Sequence, residues 1–242
     1  MFAIFKREVQ SFFTSPIGYL IVGLFLLLNG LFLWVFKGDF NIFDYGFADL
    51  GNLFLLAPWI FIFLIPAITM KSFSEERKVG TLELLLIKPI SVWKLVLGKF
   101  WGATLLCVIA VLPTIIYVFA ISDLGIIPGN YDLGVVLGSY FGLLFLIALY
   151  TSIGLFSSTI SDNQIVSFII GILICFLIFN GFEAVSSLFS GESQQIIQSL
   201  GAKSHFESIA RGIVDTRDLV YFISLTIFFL YLTFLRLKQL PQ

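Results

Sequence analysis

The sequence predicts an all-α integral membrane protein: six transmembrane helices, an N-terminal amphipathic helix, and short helices on the outer side before the last span. Three observations predict it. Hydrophobic residues make up 59% of the 242 and charged residues only 12%, with a mean hydropathy of +1.03, whereas soluble domains are about 45–50% apolar. Uncharged apolar runs recur at about residues 17–36, 53–70, 100–121, 133–160, 165–182 and 219–235, and a hydrocarbon core of about 30 Å needs roughly 20 helical residues to cross it. Charge of both signs is gathered into one long polar stretch, Lys71 to Lys99. Six spans use up the length and leave no room for a soluble catalytic domain.

Residues 1–15 place Phe2, Ile4, Phe5, Val9, Phe12 and Phe13 at roughly helical spacing among Lys6, Arg7, Glu8 and Gln10. That is the pattern of a helix lying in the membrane interface. The run from Ile17 to Phe36 is too long for a signal-peptide core, and no small-x-small cleavage site follows it, so it is expected to stay as the first span. Pro58 and Pro66 in the second span and Pro113 in the third each remove a backbone donor and are expected to kink or open their helices. Gly134, Gly138 and Gly142 form a flat face on the fourth span, against which this chain or a second subunit packs, the same chain being favoured. Cys107 and Cys175 lie inside apolar runs and imply no disulfide framework.

Between the fifth and sixth spans, residues 183–218 are too polar to cross and too apolar for a plain loop. Ile196, Ile197 and Leu200, then Phe206, Ile209, Ala210 and Ile213, fall at helical spacing, so two short helices separated by Gly201 to Ser204 are expected. They lie on the outer surface or dip back into the membrane. Orientation follows from charge. With the N-terminus inside, ten of the fourteen Lys and Arg residues are cytoplasmic, and only Lys37, Lys203, Arg211 and Arg217 lie outside. Both termini are then expected in the cytoplasm.

The Lys71 to Lys99 stretch carries its own punctuation. Ser72 with Glu75 three residues on is a capping-box pattern, Gly80 breaks that helix, Thr81 caps a second with Glu83 in its first turn, and Pro89 stops it. Leu82, Leu85 and Leu86 share one face of this second helix, an apolar stripe that requires a partner or a membrane surface. Ser91 caps a third helix running on into the next apolar segment. Two readings stand: a basic loop resting on anionic headgroups through Lys71, Arg77, Lys78, Lys88, Lys94 and Lys99, or a rigid docking element, which the caps, break and stop favour.

Several chemistries are excluded. The only Gly-Lys pair, Gly98-Lys99, is followed by Phe100 and not by the Ser or Thr of a phosphate-binding loop. His205 is the only histidine, which rules out histidine-rich zinc sites; it is read as an ordinary outer-surface residue. No nucleophile-histidine arrangement supports an intramembrane hydrolase. The cores of the spans as drawn contain no ionisable residue that could relay a coupling ion, and Asp162 sits in the short turn between the fourth and fifth.

Phe73, Glu76, Gly80-Thr81-Leu82-Glu83, Leu85, Pro89, Trp93 and Gly98-Lys99 resemble the first cytoplasmic loop of ABC-2-type transporter permeases. The run SHFESIARGIVDTRDLVYF, residues 204–222, is similar to the stretch before their last span, where short helices cap the external mouth. Within the family the chain resembles most the permease subunit of the gliding-motility-associated ABC transporter of Bacteroidetes-type bacteria. The resemblance implies a single ABC-2-type transmembrane domain over 1–242 in the bacterial inner membrane, working as half of a dimeric unit with a second membrane subunit or a second copy of itself. It implies ATP-driven export coupled through the 71–99 loop to a separate ATPase dimer. Glu76, Gly80, Thr81, Leu82, Glu83, Leu85, Leu86 and Pro89 would form the coupling site. The chain itself would hold no cofactor and do no catalysis, ATP and magnesium belonging to the ATPase, and no nucleic acid is expected. The alternative is a membrane scaffold or channel component without an ATPase.

Overall fold

The computed structural model describes residues 1–46, 49–82, 91–125 and 131–239. Ser15 is extended, at φ −100° and ψ 153°, as the ring of Pro16 disfavours the helical conformation in the residue before it. Helix α1 (Phe2–Thr14) therefore stops, and α2 (Pro16–Val35) begins with proline in its first turn and closes in a π turn over Leu31–Val35. The short α3 (Ile42–Tyr45) is capped by Asn41, whose side-chain oxygen accepts from the Phe43 N–H at 2.9 Å.

Helix α4 (Gly51–Lys78) runs for 28 residues and continues through Pro58 and Pro66. At 1.5 Å per residue that is about 42 Å, longer than a hydrocarbon core of about 30 Å. The surplus matches its last two turns, Lys71–Lys78, which carry five of its charged residues. The capping box expected at Ser72 and Glu75 is not used: Met70 is helical (φ −52°, ψ −35°) and Ser72 is buried. A cap serves only where a helix begins, and here the preceding turns of α4 already supply the carbonyl partners.

Ser91 does cap the next helix, its Oγ accepting from the Lys94 N–H. That helix, α5 (Val92–Leu124), is continuous with the third span, and Pro113 tightens it into a 3₁₀ turn at Leu112–Thr114. Residues 71–78 and 92–99 of the polar stretch are thus helical extensions of the second and third spans. Helix α6 (Leu133–Ser158) is capped by Asp132 and α7 (Gln164–Ser186) by Asn163, the latter containing a second π turn at Leu177–Gly181. The short α8 (Glu192–Gln198) and α9 (Ala202–Ala210) follow, and α10 (Thr216–Lys238), capped by Asp215, is the last helix among the described residues.

Among the described residues, α2, α4, α5, α6, α7 and α10 are the six helices long and apolar enough to span a membrane. Helix α4 lies at the centre: 72% of its most apolar stretch is buried, against 22–44% for the other five. It packs on α2, α6 and α7, and Phe61 stacks on Phe25 of α2 at 4.6 Å. Leu20, Ile116, Phe119 and Leu173 face away from the bundle, as lipid-facing residues do. Because lipid is as apolar as these side chains, close fit holds such helices together. The glycine face of α6 supplies that fit within the chain. A Cβ on Gly138 would lie 2.6 Å from the Ile209 carbonyl oxygen, and one on Gly142 would touch Phe206 and Ile209.

The loop helices differ from expectation in detail. The break between them falls at Ser199–Gly201 and not at Gly201–Ser204, because Gly201 is extended and α9 starts at Ala202. Ile213 lies beyond the end of α9 and is exposed. These helices and the start of α10 form the far end of the bundle. Helix α1, the end of α4, the start of α5 and the end of α10 form the near end.

Candidate functional site at the near end of the bundle

Sequence reasoning placed Lys99 among the charges of a loop. It lies instead two turns inside α5 and is 3% exposed. Glycines on either side make room for α1: a Cβ on Gly98 would come 2.8 Å from Ile4 Cγ2, and one on Gly102 would come 2.7 Å from Glu8 Cβ. With the two helices this close, Lys99 Nζ donates to Glu8 Oε1 at 3.1 Å and to Glu76 Oε1 at 2.9 Å. Arg7 Nη2 donates to the same two oxygens, at 2.9 and 3.0 Å. The Lys99 ammonium also sits 5.2 Å over the Phe73 ring, a favourable cation–π contact.

Two cations and two carboxylates thus tie α1, α4 and α5 into one neutral cluster. Burial alone would push the Glu8 carboxyl up, but Lys99 and Arg7 outweigh it and hold it below its ordinary value. The same carboxylates, Glu8 first, raise Arg7 against the opposing effect of burial. Glu76 Oε2 is buried and unbonded among the described residues. A cleft of about 370 Å³ opens beside the cluster, lined by Arg7, Glu8, Lys71, Glu75, Glu76 and Thr81 among others.

Helix α4 ends where the sequence placed its break. The Val79 and Gly80 N–H groups donate back to Glu75 and Arg77, and Gly80 takes φ +74°, a conformation in which glycine has no Cβ to clash. The Thr81 hydroxyl turns back to donate to the Glu76 carbonyl at 3.1 Å. Leu82, expected on a stripe facing a partner, is buried in this chain's own second core cluster with Phe73, Leu95, Val96, Phe100 and Leu237. Glu83, Leu85, Leu86 and Pro89, and the helix expected as far as Ile87, lie outside the described residues.

The remaining charges of the stretch divide in use. Lys71 sits 5.9 Å over the Phe12 ring of α1. Arg77 Nε pairs with Asp162 Oδ1 at 2.7 Å, joining α4 to the turn between α6 and α7. Trp93, at the start of α5, stacks on Phe234 of α10 at 4.6 Å and 11°. Every helix end here is therefore fastened to another. The cluster joins α1, α4 and α5, so a displacement of the Lys78 end of α4 is shared with the other two helices. Among the described residues, no group of three or more His, Cys, Asp and Glu could hold a metal ion.

Sequence reasoning missed Lys99 as the centre of this cluster. The available signal was a lysine bracketed by Gly98 and Gly102 at the head of an apolar run. It also took His205 for an ordinary surface residue, whereas its side chain is 16% exposed and both ring nitrogens are engaged.

No curated protein matches the chain. A family model described as ABC-2 family transporter protein matches residues 2–239, which takes in α1, all six spans and the fastened near end. With nearly its whole length under that match, the chain belongs to the ABC-2 transporter family, whose membrane permeases generally work with an ATPase subunit.

Proposed function

We propose that this permease is the membrane half of an ATP-driven exporter, with the near end in the cytoplasm and residues 79–91 docked on a separate ATPase dimer. ATP and magnesium are then held by that partner, and the membrane is the bacterial inner membrane. The observation that carries the reading is the cluster of Arg7, Glu8, Glu76 and Lys99 directly behind the loop. A loop that only rested on anionic lipid would keep its cations free, yet Lys99 and Arg77 are paired within the chain and Lys71 lies over Phe12. A docked loop needs a stiff mount, and α4 supplies one as a helix unbroken from the membrane to Lys78. Closure of the ATPases would push the segment carrying Glu83, Leu85 and Leu86 and rock α4, α5 and α1 as one body.

The positive charge bias of the near end supports the orientation. The link to gliding motility rests on the resemblance of nearly the whole chain to that subfamily. The test is recovery of an ATPase with the chain from native membranes under mild detergent, for the wild type and for Glu83→Lys. Docking through Glu83 predicts at least a tenfold loss of co-purified ATPase, from the about 2–5 kcal/mol that a like-charge contact at a buried pair costs. Undiminished recovery removes Glu83 from the interface. Absence of any ATPase from the wild-type preparation supports a scaffold or channel component instead.

A further inference from the structure

At the far end, His205 of α9 is held on three sides. Its Nδ1 lies 2.6 Å from Asp218 Oδ1 in the first turn of α10, its Nε2 lies 2.8 Å from the Ser199 carbonyl oxygen, and its ring stacks on Tyr221 at 4.0 Å and 24°. Both oxygens are acceptors. An imidazole carries two N–H donors only when protonated, so the imidazolium alone satisfies both contacts at once. The surroundings of Asp218 leave the ring as its partner. Its side chain is 8% exposed, Oδ2 is buried without a partner, and His205 is its one salt-bridge partner among the described residues.

Lys203 and Tyr221, on the same two helices, are engaged elsewhere. On α9, Lys203 is bound to Glu183 of α7 at 2.6 Å and lies 3.8 Å from Glu207. On α10, the Tyr221 hydroxyl donates to the Leu200 carbonyl at 2.7 Å. Helix α6 meets α9 with Gly138 and Gly142 and with Ser139, which donates to the Ala210 carbonyl. Asp218 is therefore the carboxylate that faces the ring directly.

We propose that His205 is a proton-operated clasp, whose imidazolium fastens the α8–α9 joint at Ser199 to the start of α10 and whose deprotonation releases that joint. The neutral tautomer that keeps Nδ1–H for Asp218 turns the Nε2 lone pair toward the Ser199 carbonyl lone pairs, so a bond becomes a repulsion. The sign follows: the clasp is closed on the acid side and opens as pH rises through loss of the ring proton. Helices α8 and α9 then loosen over the far end of α6 and α10, making the pH of that compartment an input to this end of the permease.

The test uses the full chain in lipid nanodiscs. His205 is the only histidine, so ¹⁵N-histidine labelling yields one pair of ring-nitrogen signals. At about pH 6, on the acid side of the ordinary histidine range, both nitrogens are expected to be protonated and hydrogen-bonded. Between about pH 6 and about pH 8.5, amide exchange across residues 199–210 is expected to rise about tenfold beyond intrinsic base catalysis. In His205→Gln that extra rise disappears. A single protonated nitrogen at the acid pH overturns the proposal. So does wild-type exchange that follows base catalysis alone, or an extra rise that persists in His205→Gln. Should that variant fail to insert, the two wild-type measurements still decide.

Discussion

Replacing Lys99 by Met tests whether the near-end cluster fastens α1 to the bundle. The change keeps an unbranched stem of similar length and removes only the ammonium. Lys99 is 2% exposed at its side chain and makes two charge-assisted bonds, at 2.9 and 3.1 Å. Without it, Glu8 and Glu76, 13% and 18% exposed, face each other with only Arg7, itself 49% exposed. Breaking a buried ion pair by removing one partner costs about 3–5 kcal/mol. Because water reaches Arg7 and can screen what remains, the lower end, about 3 kcal/mol, is expected. The assay is equilibrium unfolding in mixed micelles together with amide exchange over Phe2–Thr14, which should lose protection before the spans do. A triple variant, Glu8→Gln, Glu76→Gln and Lys99→Met, leaves no uncompensated carboxylate and should recover much of the loss. Wild-type stability and α1 protection in the single variant would refute the reasoning, as would a triple variant no better than the single. Acid should reproduce the effect in the wild type. The Glu8 carboxyl is held below its ordinary 4.5, so its contribution is full above that value and is lost as pH falls through the lowered native one.

Two further outcomes follow from the geometry. Gly138→Val sets a side chain against the backbone of Ile209 and Gly212; displacement of α9, at about 1–3 kcal/mol for such overpacking, should make residues 187–214 susceptible to limited proteolysis, and resistance equal to wild type would contradict the contact. Asp162→Asn removes the pair with Arg77, but the two side chains are 56% and 36% exposed, so unfolding should shift by less than about 1 kcal/mol, with transport in reconstituted vesicles largely retained.

What the near end shows about sequence reading can be followed residue by residue. The Gly80 break and the Ser91 cap were legible because each depends on the conformational limits of one residue and its immediate neighbours, whereas Pro113, expected to kink or open its helix, tightens it into a 3₁₀ turn. Ser72 and Glu75 carry the same kind of local signal, but the signal lost to its context: α4 does not begin there, so nothing needed capping.

The presence of six apolar helices long enough to span was determined by the sequence alone, since transfer into hydrocarbon is nearly additive over a run of about 20 residues, although α4 continues to Lys78 and α5 begins at Val92, beyond the expected 53–70 and 100–121. The tertiary structure decided which charges are used and how. Lys99 looks like a loop cation until α1 arrives from 91 residues away and α4 from 23. Leu82 looks like a docking residue until the end of α10 covers the same cluster, and His205 looks like surface until Asp218 and Ser199 close on its two nitrogens. The physical reason is common to all three. Burial and charge compensation are properties of a meeting between distant segments, and no local pattern of residue types records which segments will meet.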